Sequence, residues 1–110
     1  MGGDPVSAIR GLGGCIYHVH GKDTRIEPQA RIDGLIDVKH VTPVKGRSWN
    51  YVALGHGHPV RDWVEIVRAL REAGYDDTIS IENEDYSLDP VEAVANSVQV
   101  LKFCRAQLAA

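Results

Sequence analysis

Hydrophobic and polar positions divide the chain into three helical segments and two strand-like runs around one long aperiodic stretch. Val60, Trp63, Val64, Val67 and Leu70 recur at helical spacing, which predicts a helix entered through Pro59 and stopped by Gly74. Val91, Val94, Val98, Leu101 and Leu108 predict a second helix with those residues as its buried stripe, opened by an Asp89 cap and by Pro90 in the first turn. Asp4-Pro5-Val6 repeats that grammar for a short first helix to about Leu12, with Gly13-Gly14 as its stop. Two runs read as strands, about Cys15 to His20 and Thr78 to Glu82. Strand alternation puts Ile16, His18 and His20 on one side and Cys15, Tyr17 and Val19 on the other. In the second run Ser80 and Glu82 share one face, and Ile79 and Ile81 the other.

Between about Thr24 and Leu54 the periodicity lapses. Pro28, Gly34, Pro43 and Gly46 punctuate this stretch, and Gly34-Leu35-Ile36-Asp37-Val38 predicts a small strand or hairpin arm. A loop of that length is either functional or a surface excursion packed on itself. The order helix, strand, long loop, helix, strand, helix implies parallel pairing and an α/β architecture. Two or three parallel strands do not make a self-sufficient sheet, because parallel sheets are covered on both faces and paired along their edges. The expectation is a single partial domain over residues 1–110, completed by copies of itself or belonging to a longer barrel.

Composition narrows the function classes. The formal charge of −3 has no basic surplus, which argues against a nucleic-acid partner. No apolar run approaches the roughly 18 residues of a membrane span, so no membrane partner is expected. Met1-Gly2-Gly3-Asp4-Pro5 lacks the basic start and apolar core of a secretory signal, and a cytoplasmic location is expected. Cys15 and Cys104 have no framework spacing and read as reduced, buried thiols. The glycines around Leu12 precede a strand and do not follow one, so they are not a dinucleotide fingerprint.

The candidate chemistry lies where the strands end. Active sites of α/β proteins gather at the carboxyl ends of parallel strands, which places His20 and Glu82 side by side. One imidazole and one carboxylate suit a divalent ion such as Mn²⁺, Co²⁺ or Zn²⁺, or Mg²⁺ if the remaining ligands are oxygens. The bland alternative is a lining histidine beside a solvated carboxylate. His18, one pleat deeper, reads as a hydrogen-bonded core histidine supporting the site. Lys22 and Asp23 either pair with each other or contact substrate, and nothing local decides. His56 and His58 flank Gly57 in a loop able to cover the site. Trp63 reads as helix core, Trp49 as a candidate pocket wall, and Glu84 and Asp85 as solvated loop charges.

At His18-Val19-His20-Gly21-Lys22-Asp23-Thr24 and Ile79-Ser80-Ile81-Glu82-Asn83-Glu84-Asp85 the sequence resembles the sugar phosphate isomerase/epimerase family. That family has the xylose isomerase-like (β/α)8 TIM barrel, which it shares with metal-dependent apurinic endonucleases. The resemblance runs on through Arg47-Ser48-Trp49, Gly55-His56-Gly57, Trp63 and Gly74-Tyr75-Asp76. It implies a C-terminal fragment of the barrel, about strands 7 and 8 with flanking helices. It also implies one divalent ion held by Glu, Asp, His and Glu, of which His20 matches the histidine and Glu82 the final glutamate. The other two ligands belong to strands that this chain does not contain. In the family's epimerases the two metal-bound glutamates exchange protons beside a sugar carbonyl, through a metal-stabilised enediolate. By that analogy Glu82 is ligand and acid/base, with Lys22, Asp23, Trp49 and His56 as candidate contacts for a sugar or sugar phosphate. With half the machinery absent, the isolated fragment is expected to be inactive, with a metal site that need not be filled, and the chain to associate with itself. The alternatives are a non-catalytic oligomerising scaffold and one subunit of a split enzyme. The endonucleases' additional aspartate and histidine, counted back from Gly55, fall at about Trp49 and Tyr51, which cannot replace them.

Overall fold

The computed structural model describes residues 2–109. Among them nine elements follow one another: α1 (Pro5–Leu12), a 3-10 turn (Gly13–Cys15), β1 (Val19–Gly21), β2 (Asp23–Ile26), α2 (Ala30–Asp33), β3 (Trp49–Val52), α3 (Val60–Glu72), β4 (Ile79–Ile81) and α4 (Pro90–Leu108). The helix starts form as their sequences dictate. Asp4 accepts from the Val6 amide at 3.2 Å ahead of Pro5, and Asp89 accepts from the amides of Val91 and Glu92, both at 3.1 Å, ahead of Pro90.

β1 and β4 pair in parallel, with Val19 opposite Ile79, His20 opposite Ser80 and Gly21 opposite Ile81. The Glu82 amide donates to the Gly21 carbonyl at 3.0 Å, which extends the ladder to the site. Gly21 is buried, and a Cβ there would meet Ile79 Cγ2 at 3.2 Å and Leu54 Cδ1 at 3.4 Å. The core lies behind this pair: Leu54, Trp63 and Cys104, flanked by Val64, Val67, Ile81, Val100 and Leu101. The molecule is thus α/β, with two sheets of two strands each and no closed barrel among the described residues. No helix among them is long and apolar enough to cross a membrane.

Several expectations need correction. The first strand is shorter than read: Cys15 belongs to the 3-10 turn and is exposed, so only Cys104 is a buried thiol. The chain does not fall into a loop after His20. It bends at Lys22 and continues as β2, antiparallel to β3, with Asp23 opposite Val52 and Ile26 opposite Trp49. This second pair organises the stretch that lacked periodicity. Gly34–Val38 is not a strand. Gly34, at φ +75°, terminates α2, and Ile36 and Val38 are 90% and 95% exposed. Arg47 ties the same stretch together from inside, donating to the carbonyls of Lys39, His40 and Trp49.

On α4 the buried face runs through Ala93, Ser97 and Cys104, rotated from the valine stripe, and Val91 is 77% exposed. The small residues allow close approach. Ser97 Oγ accepts from the Leu54 amide at 3.1 Å while donating to the Ala93 carbonyl at 2.9 Å, so the helix receives the chain that follows β3.

Candidate metal and substrate site

Parallel pairing brings the carboxyl ends of β1 and β4 together, and their last side chains meet. His20 Nδ1 lies 3.1 Å from Glu82 Oε2. Lys22 Nζ donates to Glu82 Oε1 at 2.8 Å and to Glu84 Oε1 at 2.5 Å, and it sits 3.9 Å over the centre of the Tyr51 ring. The ammonium therefore joins three segments: the bend after β1, the loop after β4, and β3. Lys22 is mostly buried, whereas His20 and Glu82 are exposed.

The electrostatics follow this geometry. Lys22 first, then His20, holds the Glu82 carboxyl below its usual range, so Glu82 stands ionised near neutrality. Partial burial pulls the Lys22 ammonium down, but Glu82 and Glu84 together outweigh it and raise its pKa. His18 is hydrogen-bonded, as expected, through Nε2 to Ser80 Oγ at 3.2 Å. It is exposed, not a core residue, and its ring meets His20 edge-on with centroids 5.1 Å apart.

Asp23 is 1% exposed and faces inward. Its carboxyl oxygens accept from the amides of Thr24, Gly55, Gly57 and His58, from the indole of Trp63 at 3.1 Å, and from His58 Nδ1 at 2.7 Å. Since a carboxylate only accepts, His58 carries its proton on Nδ1 in this arrangement. Asp23 is thus the anchor of the Gly55–His58 loop, its oxygens engaged by that loop and by Trp63. Lys22 and Asp23, the two readings left open by sequence, neither pair with each other nor act alike.

Trp49 is buried within the β2–β3 lobe, 4.9 Å from the Tyr51 ring and 4.6 Å from the Arg47 guanidinium, with its indole nitrogen unpartnered. It is an interior residue and not an open wall. Trp63 is core, as its helical spacing predicted. His56 lies exposed on the loop that Asp23 anchors. The acidic loop departs from the solvated charges expected there: Glu84 is half-buried against Lys22, and Asp85 is buried, accepting from the Ala53 amide at 2.9 Å and from Ser87.

Tyr51 and Glu84 are the contacts that sequence reasoning missed. Tyr51 had no signal, because β3 was not recognisable. Glu84 shares the Glu82 side of an extended run, and that alternation was available to find it. Beside the site, a groove of about 360 Å³ is lined by Ile9, Ile16, His18, His20, Lys22 and His58.

Among the described residues no three His, Cys, Asp or Glu side chains converge as a metal centre. One nitrogen donor of His20 and one oxygen donor of Glu82 stand 3.1 Å apart, both exposed, on neighbouring strand ends. That donor pair is of the mixed kind that divalent transition ions accept.

Residues 1–104 match the xylose isomerase-like TIM barrel family. The uncharacterized protein YfiH of Bacillus subtilis (strain 168) is 43% identical over 103 residues, which cover 93% of this chain and 33% of that relative. The chain therefore spans about a third of the length of the curated relative it matches. The chain belongs to the xylose isomerase-like TIM barrel family.

Proposed function

We propose that the chain supplies one sector of a metal-dependent sugar or sugar phosphate isomerase or epimerase, corresponding to the last two strands of the barrel. The observation that carries this reading is the 3.1 Å approach of His20 Nδ1 to Glu82 Oε2 across two parallel strand ends. His20 and Glu82 would hold a divalent ion (Mn²⁺, Co²⁺, Zn²⁺ or Mg²⁺) together with two carboxylates from elsewhere. Such an ion supplies Lewis acidity to a sugar's carbonyl and adjacent hydroxyl oxygens.

Glu82, ionised by its neighbours, is in the form that accepts a proton from the carbon beside the carbonyl. Lys22 keeps that carboxylate in place. Asp23 fixes the loop bearing His56 and His58, which would close over one side of the substrate. A second carboxylate is needed to return the proton on the opposite face. The 110 residues are therefore inactive by themselves, and the second carboxylate and the remaining ligands would come from the other strands of the barrel.

Calorimetric titration with Mn²⁺ or Co²⁺ tests the reading. Binding should be weak and should disappear in His20→Ala and in Glu82→Gln. Binding indifferent to both substitutions, or absent throughout, would leave a non-catalytic oligomerising scaffold as the better account.

A further inference from the structure

The second ring nitrogen of His58 is left over by the fold. Nδ1 donates to Asp23 Oδ1 at 2.7 Å, and Asp23 is 1% exposed. The same carboxylate accepts from the His58 amide at 3.1 Å. The ring is therefore held at both its backbone and its side chain, and swinging it away would cost a buried carboxylate one of its donors. With the proton on Nδ1, Nε2 of the neutral ring is an acceptor. Among the described residues nothing donates to it, and the side chain is 43% exposed. His58 borders the groove of about 360 Å³ that His18, His20 and Lys22 also line, with Ile9 and Ile16 as apolar wall. That volume is of the size that small-molecule clefts have.

We propose that His58 Nε2 is a hydroxyl-binding point of this groove: it accepts a hydrogen bond from a hydroxyl of a polyol ligand, and Asp23 is the positioning residue behind it. This rests on the sugar reading above and deepens it, because it names the group that the ligand presents there. An acceptor held in place discriminates. A hydroxyl supplies the proton, whereas a phosphate or carboxylate oxygen sets acceptor against acceptor. On its other side His58 borders a second cleft lined by Asp4, Asp62 and Glu65, and it forms no ion pair with any of the three. Their carboxylates add repulsion toward an anion. The part of the ligand beside His58 is thus uncharged, and a sugar phosphate would seat its phosphate elsewhere.

The test follows the histidine rings of the wild-type 110-residue chain by proton–nitrogen correlation, without metal and at about pH 8, above the ordinary imidazole range. D-fructose is the polyol probe and inorganic phosphate the anionic one. D-fructose should shift the His58 Nε2 resonance within the unprotonated range, leaving Nδ1 protonated and the exposed His40 ring unmoved. Inorganic phosphate should leave Nε2 unprotonated. His58→Phe should weaken D-fructose binding, read at the His20 ring, about fivefold, the size of one hydrogen bond. His58→Gln, which keeps an acceptor oxygen, should restore most of that loss.

A His58 Nε2 that carries a proton in the free chain, or that gains one from phosphate, overturns the proposal. So does movement of the His18 and His20 rings with D-fructose while His58 stays still. Failure of the sugar reading itself looks different: none of the three rings then moves.

Discussion

Asp23 and Gly57, 34 positions apart in sequence, meet so closely that the Gly57 amide donates to Asp23 Oδ2 at 3.2 Å, and a Cβ on Gly57 would lie 2.7 Å from Asp23 Oδ1. The same Cβ would stand 2.3 Å from the Thr24 carbonyl oxygen, which is backbone and has no rotamer to yield. Gly57→Ala must therefore push the loop off β2. We expect a loss of about 3 kcal/mol in stability, at the upper end for overpacking, measured by urea denaturation. A loss below about 0.5 kcal/mol would mean that the loop is not held as described.

The acceptor side of the same contact gives a complementary expectation. Asp23→Ala leaves the half-buried amides of Gly55, Gly57 and His58 and the buried Trp63 indole without their acceptor. Each unsatisfied buried donor costs about 1–3 kcal/mol, so the variant should be destabilised beyond what a small domain tolerates. Asp23→Asn retains one acceptor oxygen and should fall between, with His58 losing its fixed tautomer. Nitrogen chemical shifts of the His58 ring report that loss directly. An unaltered His58 spectrum in Asp23→Asn would contradict the pairing.

How much of this was legible beforehand depended on the kind of signal. α3 was readable because Val60, Trp63, Val64, Val67 and Leu70 carry a helical period, and both proline-led helix starts were readable from their caps. His20 and Glu82 were readable as a pair because parallel strands align their ends. The β2–β3 pair was hidden: Asp23-Thr24-Arg25-Ile26 does not alternate, and its partner lies beyond α2 and a long irregular segment. Whether Asp23 pairs with Lys22 or contacts substrate could not be read locally, since nothing nearby in sequence indicates that its donors come from residues 55–63. The α4 stripe was displaced for a similar reason. Small residues, Ala93 and Ser97, face the core because the Leu54 amide must reach Ser97, and hydrophobicity alone points to the valines.

The two cysteines should differ sharply in reactivity. Cys15 is exposed in the 3-10 turn, while Cys104 is buried and burial pushes its thiol pKa up. A disulfide-exchange reagent at neutral pH should modify one thiol per chain quickly and the second only on unfolding. Equal, rapid modification of both would place Cys104 outside the core.

Asp85 sets an expected acid limit. Burial alone would raise its pKa, but the Ser87 hydroxyl, the amides of Ala53 and Ser87, and the nearby His56 together lower it below the ordinary 3.8. A carboxyl with a depressed folded pKa stabilises the fold above its unfolded pKa, and that contribution is lost as pH falls through the folded value. Urea midpoints should therefore drop below about pH 4, and Asp85→Asn should lower stability at pH 7 while flattening part of that drop. A wild-type midpoint that does not change between pH 7 and pH 3 would count against it.

Association is the remaining expectation, and it follows from the sheets. Among the described residues β1 and β4 pair only with each other, so each keeps one open edge, and a two-stranded parallel pair lacks the neighbours that such sheets have elsewhere. Tyr17, just before β1, is 84% exposed, and Val91 and Val94 face outward from α4. Apolar surface and unpaired strand edges together favour covering one copy with another. Light scattering across a concentration series should give a mass above the 12.1 kDa of one chain, rising with concentration. Addition of a chain carrying the complementary strands should replace that self-association with a defined heterodimer. A constant mass of 12.1 kDa in both experiments would mean that the open edges are stable in water, and the proposed completion of the site would fail with it.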